Sequence, residues 1–118
     1  MPSDPPGFAA QLAEDLSPED VIHVLTLLQA DIARLVAELE AAASAGDAAA
    51  FRAAAHGIAG AAGSVGAADL EQAGRRAMTN RDPAAPLLGP AAEIHQLADA
   101  MLLEISGFLA AGTPSALP

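Results

Sequence analysis

The sequence predicts an all-α fold, an antiparallel up-down four-helix bundle with one short helix before it. Apolar residues recur every three or four positions along four long segments, which is the spacing of one face of an α-helix. Short runs containing Gly, Pro and Asp separate these segments, and no stretch shows the strict alternation of a half-buried β-strand. Four amphipathic helices joined by short connections pack as an up-down bundle.

The first long helix has the clearest start. Residues 17–20 provide a Ser that can cap the helix, a Pro suited to the first turn, and two acids where the helix dipole favours negative charge. Gly46 is expected to end this helix. A short amphipathic helix over residues 8–16 precedes it. The inward stripe of the long helix contains seven apolar residues: Val21, Leu25, Leu28, Ile32, Leu35, Val36 and Leu39.

The second long helix is predicted to start at a cap on Asp47, to carry the apolar residues between positions 51 and 65, and to end in a tight reversal at Gly66. The remaining segments are a helix over residues 67–78, a loop rich in Gly and Pro over residues 80–90, and a final helix over residues 91–110. We expect one domain over residues 1–118, with an ordered core at residues 7–111 and flexible tails.

Composition restricts the classes of function. The chain has 118 residues and no Cys, which excludes disulfides, thiol nucleophiles and Cys-ligated metal sites. His23 and His95 lack ligand-type spacing to each other or to a third histidine, so no metal or cofactor site is predicted. The formal net charge of −10 would repel nucleic acid and anionic membranes.

The same features predict where the chain resides. No apolar run reaches the roughly eighteen residues of a membrane span. The first seven residues are acidic and rich in Pro, unlike a signal peptide. We therefore expect a cytoplasmic protein, and the acidic surface favours a monomer.

One histidine, His56, lies in the middle of a helical segment made almost entirely of Ala and Gly. Helical periodicity places it opposite the apolar side of the segment, on the solvent face. Arg52, Ala59, Gly60 and Gly63 fall within roughly 60° of it by the same periodicity. The sequence thus predicts an accessible imidazole surrounded by side chains too small to shield it.

The presence of three glycines inside this predicted helix requires an explanation. Gly57, Gly60 and Gly63 each cost about 0.5–1 kcal/mol relative to Ala inside a helix. Either another helix of the same chain or another protein must approach closely where their methyl groups are missing. The first explanation fits Gly60 and Gly63 less well, because they share the face of His56.

The segment also carries a recognisable motif. An Ala-His pair is followed by an apolar residue two positions after the His, a Gly four after it, a Gly ten after it with a small neighbour, and a Leu four beyond. Here these are Ala55-His56, Ile58, Gly60, Gly66-Ala67 and Leu70. The pattern resembles the histidine-containing phosphotransfer (HPt) domain of multistep two-component phosphorelays, typically bacterial.

Two positions depart from this family. A Lys usually stands three residues after the histidine, where this chain has Ala59, and many members have Gln where it has Met78. Four of the five arginines cluster around and after the histidine: Arg52, Arg75, Arg76 and Arg81. We hypothesise that Arg52, one turn before His56, replaces part of the missing charge; the alternative is a solubilising surface arginine.

The resemblance implies a function. His56 would accept a phosphoryl group at Nε2 from the receiver domain of a hybrid histidine kinase and pass it to the receiver domain of a response regulator. Arg52, Ala59, Gly60, Gly63, Arg75 and Arg76 would support the site, and any Mg²⁺ would be bound by the receiver. No Gly-rich segment matches an ATP site, so no kinase activity is expected. The alternative is a non-catalytic HPt-like adaptor that binds a receiver or kinase domain.

Two leucines, Leu27 and Leu103, lie on the outward side of their helices. The short N-terminal helix, which the HPt family packs across the bundle, is expected to cover one of them. The other interpretation is that they form a docking surface for a partner.

Overall fold

The computed structural model describes residues 7–80 and 86–112, and these residues form five α-helices and no strand. The helices are α1 (Phe8–Asp15), α2 (Pro18–Ala45), α3 (Ala48–Ser64), α4 (Ala68–Thr79) and α5 (Leu88–Gly112). The predicted all-α class is confirmed. The predicted flexible tails and residues 81–85 of the predicted loop lie outside the described residues.

The helices pack around one apolar core. α3 contacts both α2 and α4, α5 also contacts α2 and α4, and α1 contacts α2 and α5. No polar or charged side chain of the described part is buried. The largest fully buried side chains come from α2, α3 and α5: Phe51, Leu25, Ile32, Leu39, Ile58, Ile94, Ile105 and Val21. The apolar stripe predicted for the first long helix is therefore the α2 part of this core.

The helix ends follow the predicted capping chemistry. The Asp20 backbone N–H donates to Ser17 Oγ at 3.2 Å, and the Ala50 N–H donates to Asp47 Oδ1 at 3.0 Å. Gly46 and Gly66 adopt φ angles of 69° and 78°, which L side chains rarely tolerate. Ser17 and Gly46 mark the ends of α2, and Asp47 and Gly66 mark the ends of α3, so together they fix the placement of His56.

The last helix begins earlier than predicted. α5 starts at Leu88 rather than at residue 91, so Gly89 and Pro90 lie in its first turn instead of in the loop. Pro90 is tolerated there because the first four backbone N–H groups of a helix have no partner within it.

The prediction that the short first helix covers Leu27 or Leu103 is wrong. α1 buries Phe8 and Ala9 against its neighbours, while Leu27 and Leu103 remain 59% and 74% exposed. Gly7, at the start of α1, has no side chain to cap the helix. Instead the Ala9 backbone N–H donates to Glu104 Oε2 of α5 at 3.1 Å. A carboxylate from α5 therefore anchors the start of α1.

Candidate functional site

His56 lies in the middle of α3 and is exposed. Its backbone is held in place because Phe51 and Ile58, on the opposite side of the helix, are almost completely buried. Within the described part of the chain, neither ring nitrogen makes a hydrogen bond or an ion pair. A rigid helix therefore presents an imidazole whose nitrogens are both open to an incoming group.

Two shallow grooves between α3 and α4 flank the imidazole. The larger, about 460 Å³, is lined by His56, Ala59, Gly60, Gly63, Glu71, Arg75, Met78 and Thr79. The smaller, about 340 Å³, is lined by Arg52, Ala53, His56, Met78 and Thr79. Both grooves are open to solvent, so a partner could reach the histidine from the solvent side of α3 and α4.

The other two histidines lie in different surroundings. His23 is exposed on α2 and lines neither of these grooves. His95 of α5 is half-buried, with Nδ1 3.1 Å from Glu40 Oε2 and Nε2 3.0 Å from Asp99 Oδ2. Both of its nitrogens thus face carboxylates, which suits a link between α2 and α5 better than a nucleophile.

Ala59 is not on the exposed face as predicted. It is only 6% exposed, because Gly74 lets α4 pack closely against α3 here. A Cβ added to Gly74 of α4 would lie 3.1 Å from the Ala59 Cβ and 3.0 Å from the Ala55 carbonyl oxygen. A single-helix projection misses this burial because it takes no account of the neighbouring helix. Ala59 forms part of the groove floor.

The three glycines of α3 have three different surroundings. A Cβ on Gly57 would lie 2.9 Å from Leu35 Cδ2 of α2, and one on Gly63 would lie 2.8 Å from Glu71 Oε2 of α4. Contacts within the chain therefore explain both. A Cβ on Gly60 would have no neighbour within 4 Å in the part of the chain that the structure describes. Of these three glycines, Gly60 is therefore the one that leaves a gap facing solvent beside His56.

The arginines proposed to support the site are not equivalent. Arg75 lines the larger groove, but its Nη2 lies 2.6 Å from Glu71 Oε2. Arg76 lines neither groove and pairs with Glu93 of α5 at 2.9 Å. Arg52 lines the smaller groove, and no described carboxylate lies within ion-pair distance of it. The structure thus brings Arg52 and Arg75 to the histidine and places Arg76 elsewhere.

Three groove residues, Ala53, Glu71 and Thr79, were not predicted from the sequence. The spacing of Glu71 and Arg75, four positions apart on a helix, is a signal for an ion pair that could have drawn attention to Glu71. The Thr79 hydroxyl donates to the Arg75 carbonyl oxygen at 2.8 Å, which is a local helical contact with no sequence signature of its own.

The remaining charge features lie away from the grooves. Hydrogen bonds from Arg34 to Asp31 and Glu38 on α2 raise the pKa of the Arg34 guanidinium. Among residues 7–80 and 86–112, no group of three or more His, Asp or Glu side chains is placed to hold a metal ion. Within the same residues, no helix is both long and apolar enough to cross a membrane.

A comparison with protein families identifies the class. The Hpt domain model matches residues 23–106, which is more than two thirds of the chain and includes the motif around His56. The chain belongs to the Hpt domain family. Hpt domains act in phosphotransfer within two-component phosphorelays, where they interact with receiver domains. Neither the comparison with curated proteins nor that with solved structures returned a significant match.

Proposed function

We propose that this chain is a phosphoryl carrier that uses His56 to pass a phosphoryl group between two receiver domains. The donor would be the receiver of a hybrid histidine kinase, and the acceptor would be the receiver of a response regulator. The observation that carries the proposal is the exposed, unpartnered imidazole at the histidine of an Hpt motif. The unfilled space at Gly60 supports it, since a partner can approach closely there.

The chemistry requires only a nucleophile and good positioning. The lone pair of His56 Nε2 attacks the phosphorus of an aspartyl phosphate on the donor receiver. The new N–P bond forms as the P–O bond to the aspartate breaks, and that electron pair leaves with the carboxylate. Transfer to the second receiver is the reverse step onto a new carboxylate. Any Mg²⁺ that balances charge during transfer would be bound by the receivers, and the chain would need no cofactor of its own.

Arg52 supplies a positive charge for this step. It lies one turn before His56 on α3, lines the smaller groove, and has no described ion-pair partner. An unpaired guanidinium beside the imidazole attracts the phosphoryl group as it arrives. Ala59 cannot be compared directly with the Lys of other members, because α4 covers it here. We propose that Arg52 takes over part of that role.

The arrangement of the helices suits such a carrier. We propose that α2 to α5 form an antiparallel up-down bundle in one domain, with α1 packed against α2 and α5. Such a bundle would hold His56 in a fixed position on the surface of α3. A cytoplasmic monomer that binds neither nucleic acid nor membranes is consistent with the acidic composition.

One observation favours a second candidate, a non-catalytic adaptor. Met78 borders both grooves where many members of the family have a Gln, and a thioether is a poor hydrogen-bond partner for an imidazole. In this case the chain would bind a receiver or kinase domain without taking a phosphoryl group.

Phosphotransfer to a His56→Gln variant separates the two functions. Receiver domains of hybrid kinases from the same genome would be phosphorylated and mixed with the chain, and intact mass would report the added phosphoryl group. We expect rapid labelling of the unsubstituted chain, with an acid-labile and base-stable product, and complete loss of labelling in His56→Gln.

His23→Gln is the matched control, because His23 is also exposed on a helix but lines neither groove. It should be labelled as fast as the unsubstituted chain. Labelling that persists in His56→Gln would refute the assignment of the phosphorylated residue. A chain that binds receivers but takes no phosphoryl group from any donor would be an adaptor.

A further inference from the structure

An ion pair borders the larger groove beside His56. Arg75 Nη2 lies 2.6 Å from Glu71 Oε2, and both residues line the groove that His56 lines. The two side chains differ in freedom, because that of Arg75 is 65% exposed and that of Glu71 only 25%. The guanidinium is therefore the partner that can move.

The Glu71 carboxylate lies at the end of the groove away from His56. Its Oε2 would be 2.8 Å from a Cβ on Gly63, so the carboxylate rests directly against the backbone of α3. Gly63 follows His56 by seven residues, which is about 10 Å along the helix axis. Without a side chain at Gly63 there is room for this carboxylate beside α3.

The direction of α4 places Arg75 between this carboxylate and the imidazole. Residues further along α4 lie against earlier residues of α3. Glu71 lies at Gly63, and Gly74 lies at Ala55 and Ala59. Met78, further along α4, lines both grooves of His56. Arg75 is therefore closer to His56 than Glu71 is. The ion pair draws the guanidinium towards Gly63 and away from the imidazole.

We propose that the Glu71–Arg75 ion pair is a latch that opens when His56 carries a phosphoryl group. This inference rests on the proposed phosphocarrier function. A phosphoryl group adds negative charge and acceptor oxygens, and an arginine can bind two of them at once. The Arg75 guanidinium would leave Glu71 and bind the phosphoryl oxygens, with no covalent change beyond the N–P bond.

The latch gives Glu71 a regulatory role. Because the ion pair must break before Arg75 can stabilise phosphohistidine, Glu71 makes the phosphorylated state less stable than it would otherwise be. A less stable phosphohistidine is a better donor to the next receiver. Glu71 would thus set how readily the group moves on, while Arg75 would set how strongly it is held.

The latch predicts opposite effects for its two members. Glu71→Gln frees Arg75 and should raise the equilibrium ratio of phosphorylated to unphosphorylated His56 by roughly two- to fivefold, the range that an exposed ion pair supports. Arg75→Gln should lower the ratio by a similar factor. The double variant should behave as Arg75→Gln does, since Glu71 then has no guanidinium to hold.

The equilibrium can be measured without a protein partner. The full chain would be incubated with phosphoramidate at a fixed ratio to ammonium, and ³¹P NMR would give the phosphohistidine fraction, with hydrolysis measured separately on the phosphorylated chain. The Arg75 side-chain N–H resonance provides a second readout. It should shift when His56 is phosphorylated, and it should shift less in Glu71→Gln, where the guanidinium is already released.

Glu93→Gln is the matched control. Glu93 pairs with Arg76 at 2.9 Å, both side chains are more than half exposed, and neither residue lines the grooves of His56. This variant should leave the ratio unchanged. Equal shifts in Glu71→Gln and Glu93→Gln, or no shift in either, would overturn the latch while leaving the carrier function intact. If the unsubstituted chain takes no phosphoryl group on His56, the carrier function fails and the latch fails with it.

Discussion

At Gly60, helix stability and partner access make opposite demands. The residue lies in the middle of α3, where Gly is less favourable than Ala, and a Cβ there would touch nothing within 4 Å. Nothing within the described part of the chain therefore prevents an alanine at this position. The gap lies one turn from His56, on the surface that a receiver must approach.

Gly60→Ala should accordingly stabilise the chain and impair its transfer reaction. We expect the free energy of unfolding in urea to rise by about 0.5–1 kcal/mol, because Ala is the better helix former. Phosphotransfer from a receiver should slow, since the added methyl group stands where the partner packs.

Gly57→Ala is the contrasting variant, because its methyl group would lie 2.9 Å from Leu35 Cδ2 and disturb the packing of α2 on α3. It should bring less stabilisation than Gly60→Ala or none. Transfer at full speed in Gly60→Ala would mean that no partner uses the gap.

Sequence periodicity was sufficient for features that depend on one helix. It placed His56 on the exposed side of α3 and the stripe of α2 in the core. It could not predict features that depend on how two helices meet. Ala59 is buried because Gly74 lets α4 approach, and the neighbour of Gly63 is a carboxylate from another helix. Such contacts depend on the relative positions of α3 and α4, which no single-helix pattern contains.

At the scale of single elements, α1 shows how a helix can be anchored by a residue from another helix. It is eight residues long, too short to be stable alone, and its preceding residue Gly7 offers no capping side chain. The Glu104 carboxylate of α5 accepts the Ala9 N–H in place of a cap. The same carboxylate occupies the space where a side chain on Gly7 would stand. The first turn of α1 is thus completed by a residue of another helix.

Removing that carboxylate should loosen α1 before the rest of the chain. In Glu104→Ala we expect faster hydrogen exchange at the α1 amides. The free energy of unfolding of the chain should fall by about 0.5–2 kcal/mol, the usual range for a lost helix cap. Exchange in α3 should change little.

Glu14→Ala, on the exposed side of α1, tests whether any lost acidic residue has this effect. It should leave exchange at the start of α1 as it is. Unchanged exchange in Glu104→Ala would show that burial of Phe8 and Ala9 alone holds the helix.

For the whole molecule, the dominant electrostatic feature is an excess of negative charge. The chain has fifteen acidic residues and five basic ones, which gives a formal net charge of −10. The described ion pairs of Arg34, Arg75 and Arg76 are exposed and add little stability. Repulsion among the remaining carboxylates should therefore destabilise the folded state by more free energy than these ion pairs contribute to its stability.

Added salt should then stabilise the fold. Raising NaCl from about 10 mM to about 200 mM shortens the screening length from roughly 30 Å to under 10 Å. We expect the midpoint of thermal unfolding at pH 7, followed by circular dichroism, to rise over this range. Near pH 4.3, the sequence pI, the net charge vanishes and the rise should be much smaller. A midpoint that falls with salt at pH 7 would mean that the ion pairs outweigh the repulsion.

The contact between Ala9 and Glu104 joins residues 95 positions apart, and this separation has a consequence for biosynthesis. A nascent chain releases its amino-terminal segment first, so α1 leaves the ribosome long before its cap has been translated. Until α5 follows, the apolar side of α1 has only α2 to pack against. Docking of α1 is therefore expected to be a late event in cotranslational folding, although α1 is made before the other four described helices.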